Sequence, residues 1–271
     1  MPKREVFCGD AEMPECKIRI ACECYSDPDL VSDALRLPNF GKLDWRLPCT
    51  PEPFKLIDAE LVLIVCDQDS LLMAIGRSRL YKLAGRAHLL IYLRDGLPDE
   101  AGVPDEVIPG LALPRLELHN ELFKLTLSLL EPVLWQGFVG IDWGDARNLL
   151  TMDGLVVMEK AFSTRQPEEA IKRAVSQLQA RVAGRAIQGL QAAIFSNGTK
   201  MPMKSISDLS WACKDGLPLS DKDSDGCDTY FIVAAPILDY LDDDYYEVRL
   251  FARVECTGAH WPNDLLLELS D

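Results

Sequence analysis

The run Leu61-Val62-Leu63-Ile64-Val65-Cys66 has no polar residue at any position, so both of its faces must leave water together. A half-exposed strand alternates apolar and polar residues, whereas an unbroken apolar run predicts a central strand covered on each side. The segment that contains it, DAELVLIVCD (58–67), is followed by SLLMAIGRSRLYKLAG (70–85), a helical stretch ending at Gly85. Next comes HLLIYLR (88–94), a second extended run. Strand, helix and strand at this spacing make a β-α-β unit, whose strands lie parallel. Upstream, KIRIACEC (17–24) reads as a further strand.

Residues 95–114 hold four prolines and three glycines and predict an irregular connection with a short extended piece near IPGLALP. LHNELFKLTLSLLEPVLWQ (118–136) is apolar nearly all round, which predicts a long helix buried between two layers and strained at Pro132. Beyond it the pattern becomes α+β. GDARNLLTM opens a helix, GLVVMEKAF (154–162) is a strand, and QPEEAIKRAVSQLQARV (166–182) is an amphipathic helix with Pro167 in its first turn. IQGLQAAIFSN predicts a strand and MKSISDLSWACKD (203–215) a helix. DTYFIVAAPIL (228–238) and YYEVRLFARVEC (245–256) are expected to close the chain as a hairpin across DYLDDD.

Composition removes several classes of function. With 28 basic against 43 acidic residues the chain carries a net charge of −15, which opposes binding to nucleic acid or to an anionic membrane. No apolar run reaches the roughly 20 residues that span a bilayer, and MPKREVFCGDAEMPECK lacks a signal-peptide block, so no membrane insertion and a cytoplasmic location are expected. The nine cysteines are scattered, which argues against a disulfide framework. Cys22-Glu23-Cys24 would place two thiols on one side of a strand, but no second pair follows, and no metal is expected. DKDSDG (221–226) resembles the opening of a calcium loop, yet Ile232 stands where the bidentate glutamate belongs, which favours a solvated turn. His88, His119 and His260 form no constellation with a nucleophile, so no catalytic residue is assigned. Arg79, Lys82 and Arg86 fall on one helical face, either solvated or facing an acidic partner.

One stretch carries more information. In GFVGIDWGDARNLL (137–150), Asp142 and Asp145 lie three apart between a glycine-rich turn and an apolar run. That spacing suits a helix N-cap with a second acid in the first turn. It suits less readily two carboxylates that hold a water for attack on a phosphate, so spacing alone favours the cap.

Taken with the order of elements after residue 118, this motif resembles the C-terminal half of FtsZ, the bacterial member of the tubulin superfamily. The resemblance covers about residues 118–256. It implies an α/β chain with a shortened Rossmann-like tubulin/FtsZ-type domain over 1–117, a central spine helix over 118–136 and an α+β domain over 137–271. In that family an N-x-D-x-x-D loop enters the nucleotide pocket of the next subunit and promotes GTP hydrolysis. Asp142 and Asp145 match the two acids, Gly140 stands where the asparagine would be, and Asn120 matches a position used near the guanine base. The family's phosphate-cradling glycine turns correspond here to CECYSDPDLV and CDQDSLLMAIG, which contain no glycine cluster and bring in Asp27, Asp29, Asp67 and Asp69. At separations of about 4 Å each carboxylate would oppose a phosphate by on the order of 4 kcal/mol, so GTP is not an expected cofactor. The resemblance implies a pseudo-GTPase whose partner is FtsZ, another tubulin-like protein, or itself, and which interacts with or caps such filaments in bacterial cell division. The alternatives are a nucleotide-independent self-assembling filament protein, a divergent GTP-binding protein, or an enzyme with another substrate.

Overall fold

The computed structural model describes residues 18–26, 29, 43–46, 49, 51–52, 55–94, 111–114, 118–198, 201–220, 229–238 and 241–255. Five strands, β1 (Ile18–Cys24), β2 (Leu43–Trp45), β3 (Leu61–Cys66), β4 (His88–Arg94) and β5 (Leu111–Pro114), form a wholly parallel sheet in the order β2-β1-β3-β4-β5. Every residue of β3 is buried, because helix α1 (Leu71–Leu83) covers one face and the spine the other. Cys22 and Cys24 do share a face of β1, but they pack into the apolar core with Leu63, Val65 and spine Leu122, and burial pushes the Cys22 thiol up. On the opposite face Glu23 is wholly buried and meets Arg77 Nε at 2.7 Å and the Tyr81 hydroxyl at 2.7 Å. Strand β2 has no counterpart in the sequence reading; three residues are too few to show a period.

The spine is not one uniform helix and ends two residues earlier than expected. Leu118–Leu125 is α-helical (α2), Thr126–Leu130 is a π turn, and Glu131–Leu134 returns to α (α3). Pro132 explains the change: it has no N–H to donate to Ser128, and its ring crowds that carbonyl. The Glu131 N–H bonds back to Thr126 O and so is lost to Leu127 O, while Ser128 O faces Pro132 at the usual helical spacing. The opposing sheet supplies donors to this stretch, with Arg249 Nη1 on Leu127 O at 3.0 Å and Gln191 Nε2 on Ser128 O at 2.8 Å and Leu129 O at 3.1 Å.

The second sheet runs β6-β9-β8-β10-β7, with β6 Gly137–Val139, β7 Leu155–Ser163, β8 Ile187–Phe195, β9 Tyr230–Pro236 and β10 Tyr246–Val254. One face packs on the spine; the other is covered by α5 (Pro167–Val182) and α6 (Lys204–Gly216). The expected closing hairpin is absent. β9 and β10 lie in one sheet but on either side of β8, parallel to it and antiparallel to it respectively. The reason is visible in the element order: β8-α6-β9 is itself strand, helix, strand, and the same crossover rule that makes the first sheet parallel applies here. Strand β7 is an edge, and α5 guards it, with Arg181 Nη1 on Met158 O at 3.2 Å and Arg173 Nη1 on Phe162 O at 3.1 Å. The two halves are tied by the Lys82–Asp153 ion pair and by Arg147 donating to Gly85 O. Among the described residues no helix is long and apolar enough to cross a membrane.

Candidate functional site

The acidic loop begins where β6 meets β9. A Cβ on Gly137 would lie 1.9 Å from Ala235 O, so only glycine lets β6 pair at this edge. Three residues on, Gly140 is exposed, and a Cβ there would meet nothing within 4 Å. Helix α4 (Trp143–Thr151) then starts on a reciprocal capping box. Asp142, in extended conformation (φ −101°, ψ 175°), accepts the Asp145 N–H through Oδ1 at 2.9 Å, and Asp145 Oδ2 accepts the Asp142 N–H at 3.2 Å. The cap half of the sequence reading is therefore realised in full.

A residue that the sequence reading missed completes the arrangement. The Tyr230 hydroxyl donates to Asp145 Oδ1 at 3.0 Å and accepts from Asn148 Nδ2 at 3.3 Å. Burial first, then the Asp145 carboxylate, raises the Tyr230 pKa, so the phenol stays protonated and keeps donating. Both Asp145 oxygens are thus engaged, while Asp142 is exposed at the tip. The loop presents fixed negative charge on a rigid mount. Nothing local pointed to Tyr230, which lies 85 residues from Asp145.

In a parallel sheet the natural ligand position is outside the carboxyl ends of the strands where the order reverses, here between β1 and β3. A triphosphate requires converging N–H groups from glycine-rich turns and an open helix N-terminus there. After β3 the residues are Asp67, Gln68, Asp69 and Ser70. Asp67 Oδ1 accepts from the Ser70 N–H at 3.2 Å and from Ser70 Oγ at 2.6 Å, while Ser70 Oγ accepts the Asp67 N–H at 3.1 Å. Asp67 thus holds the Ser70 N–H and hydroxyl just ahead of α1, which places a carboxylate rather than a glycine-rich turn beside the start of that helix. Asp29 and Asp69 are exposed; Asp27 lies outside the described residues. Asn120 is exposed in the first turn of α2, and no described hydrogen bond joins it to the acidic loop.

The remaining candidates separate. His88 is buried, His119 is exposed on α2, and His260, like the 221–226 loop, lies outside the described residues. Among the described residues no group of three or more histidine, cysteine, aspartate or glutamate side chains is placed to hold a metal. Arg79, Lys82 and Arg86 do not share one helical face, because α1 stops at Leu83. Arg86 turns to Ile57 O at 2.9 Å, whereas Arg79 and Lys82 line a cavity between the halves.

No protein-family model matches the sequence, and no curated protein matches it. Solved structures do. An M. jannaschii FtsZ W319Y mutant aligns over 88% of this chain and 91% of its own at 13% identity, with a TM-score of 0.54. An empty M. jannaschii FtsZ dimer aligns over 72% of this chain at 14% identity and a TM-score of 0.51; this chain spans 64% of that one, less than two thirds of its length. A GTPγS-form protofilament of TubZ from Bacillus thuringiensis serovar israelensis aligns over 73% of this chain and 62% of its own at 11% identity, with a TM-score of 0.51. At such identities the likeness establishes architecture: the chain has the tubulin/FtsZ-like fold.

Proposed function

We propose that this chain is a filament-associated protein of tubulin/FtsZ type that docks through its Asp142–Asp145 loop onto the nucleotide-bearing end of FtsZ or another tubulin-like protein, without binding or hydrolysing GTP itself. The observation that carries this reading is the contrast between the two sites. Asp67 sets a carboxylate on the Ser70 N–H and hydroxyl just ahead of α1, which disfavours phosphate there, while the acid pair is held ready by its capping box and by Tyr230. A head-to-tail polymer continues only if every subunit offers both complementary faces. A chain with the acid loop and no nucleotide adds to an exposed end and gives the next subunit nothing to bind, so it caps. The experiment titrates wild type and the Asp142→Ala/Asp145→Ala variant into GTP-assembled FtsZ of the host organism and measures pelleted polymer. Sub-stoichiometric wild type should suppress assembly and the variant should not; equal suppression by both would remove the loop from the contact.

A second reading is self-association without nucleotide. It is supported by two of the structural neighbours, one described as a dimer and one as a protofilament. Concentration-dependent sedimentation of the pure protein in nucleotide-free buffer separates the two, since a pure cap stays at its monomer rate at every concentration.

A further inference from the structure

Helix α1 packs on the first sheet with one side and carries an apolar stripe on the other. Leu72, Met73, Leu80 and Leu83 are 65%, 63%, 43% and 81% exposed, and around the helix they fall within about 100° of one another, with Gly76 between them. Ala74, Ile75, Arg77 and Tyr81 take the opposite, buried side. The outer face of a surface helix is ordinarily polar, and here it is leucine and methionine. Arg77 is paired with Glu23 and Lys82 with Asp153, so what the stripe offers a partner is apolar surface rather than charge. Its four side chains together show roughly 400 to 500 Å², the size at which a patch on a monomer marks a contact. A stable dimer needs about 800 Å² on each partner, so the stripe suits a short segment better than a second copy of the chain.

The course of the chain after β10 supplies such a segment. The strand ends at Val254, and the Glu255 N–H donates to Ala186 O at 2.8 Å. Arg253 shares a cavity wall with Ser78, Arg79 and Lys82, the flank of α1 that adjoins the stripe. The chain therefore leaves the second sheet beside the last turns of α1. Residues 256–271, CTGAHWPNDLLLELSD, follow and lie outside the described residues. They hold Trp261, Leu265, Leu266, Leu267 and Leu269, three acids at Asp264, Glu268 and Asp271, and no lysine or arginine. Leu265, Leu266 and Leu269 recur at the spacing of one helical face. These 16 residues reach at most about 50 Å, and α1 is about 20 Å long, so the stripe is within their span. Helix α1 contains no acidic residue, so nothing on it opposes the three carboxylates, in a chain whose net charge of −15 opposes them elsewhere.

We propose that the segment 261–269 docks its apolar side chains on the α1 stripe formed by Leu72, Met73, Leu80 and Leu83. Gly76 has no side chain and lets the docked segment come close at the middle of the stripe. The contact straps the chain that leaves the second sheet across the outer helix of the first, and so ties the two halves together on the side away from the spine. It does not depend on any docking by the acidic loop.

A benzophenone side chain in place of Leu83, the most exposed of the four, reads the contact directly in the full chain. Irradiation should give a cross-link within one chain, mapped by peptide mass spectrometry to residues 258–271, and the same probe in place of Leu72 repeats the measurement at the other end of the stripe. Leu265→Asp/Leu269→Asp should lower the cross-linked fraction by about tenfold while leaving the far-ultraviolet spectrum unchanged. Without the probe, that double variant should also bind more of an apolar dye than wild type, and adding Leu80→Ser/Leu83→Ser should remove the rise. Cross-links between two chains would assign the stripe to a second copy instead. Cross-links confined to other segments, none from either probe, or an unchanged yield in the aspartate variant would each overturn the proposal.

Discussion

Asp145 is held by the Asp142 N–H on one oxygen and by the Tyr230 hydroxyl on the other, so losing either neighbour should loosen the helix start before it touches the core. Asp142→Ala removes the cap and is expected to cost about 1 kcal/mol by urea unfolding, with Tyr230→Phe costing about the same through one lost hydrogen bond. The buried Glu23 is a more severe case. Arg77 Nε reaches its carboxylate at 2.7 Å inside the protein, and Glu23→Ala would leave that guanidinium without its counter-ion. A loss of about 3 to 5 kcal/mol is expected, measurable as a fall in the denaturation midpoint with the slope unchanged. His88 sets a pH dependence. Its folded pKa lies below the ordinary value of about 6.5, so the unfolded chain takes up the proton first and stability falls as pH drops from about 6.5 toward the folded value. The urea midpoint should fall between pH 7.5 and pH 5.5, and His88→Gln should flatten that part of the profile. At this scale the sequence is legible wherever partners are local. The capping box is a matter of three residues; Glu23 with Arg77 and Asp145 with Tyr230 are not, and no local period announces them.

The spine shows what happens when an element meets a residue it cannot use. Pro132 forces a π turn, and Gln191 and Arg249 from the facing sheet satisfy the released carbonyls. Gln191 does so although its own Oε1 has no described partner, which marks the carbonyls as the more demanding groups. Gln191→Met keeps the volume and removes both bonds; a destabilisation of about 2 kcal/mol is expected from thermal unfolding, and a neutral outcome would mean that the spine closes its own ladder. Long elements were legible because their periods repeat: α5, β4 and the apolar run of β3 lie where the pattern puts them. The three-residue strands β2 and β6 were not, since each exists only through its pairing partner. The hairpin expectation failed for a related reason. Alternation in β9 and β10 says that each has a sheet neighbour but not which one, and β8, buried at every position but Gln188, stands between them.

For the molecule as a whole, the strongest expectation concerns nucleotide. A ligand present at 100 times its dissociation constant adds about 2.7 kcal/mol of stability, so about 1 mM GTP should leave the melting temperature unmoved if the Asp67–Ser70 arrangement excludes phosphate. A clear rise would show that Asp67 yields to the ligand. Gly140→Asn offers the converse test, because the position has room for a side chain. The variant should fold with unchanged stability, within about 0.5 kcal/mol, and any gain in FtsZ binding in a pull-down would come from the added amide. The guarded edge of β7 carries a consequence for the chain's fate in a crowded cell. Its outward carbonyls at Met158 and Phe162 are the ones a stray strand would seize to start an aggregate, and two arginines of α5 already hold them. Solubility at this edge therefore depends on α5 staying docked. Any event that lifts the helix, whether slow folding, heat or proteolysis, turns a quiet flank into a template for fibrils.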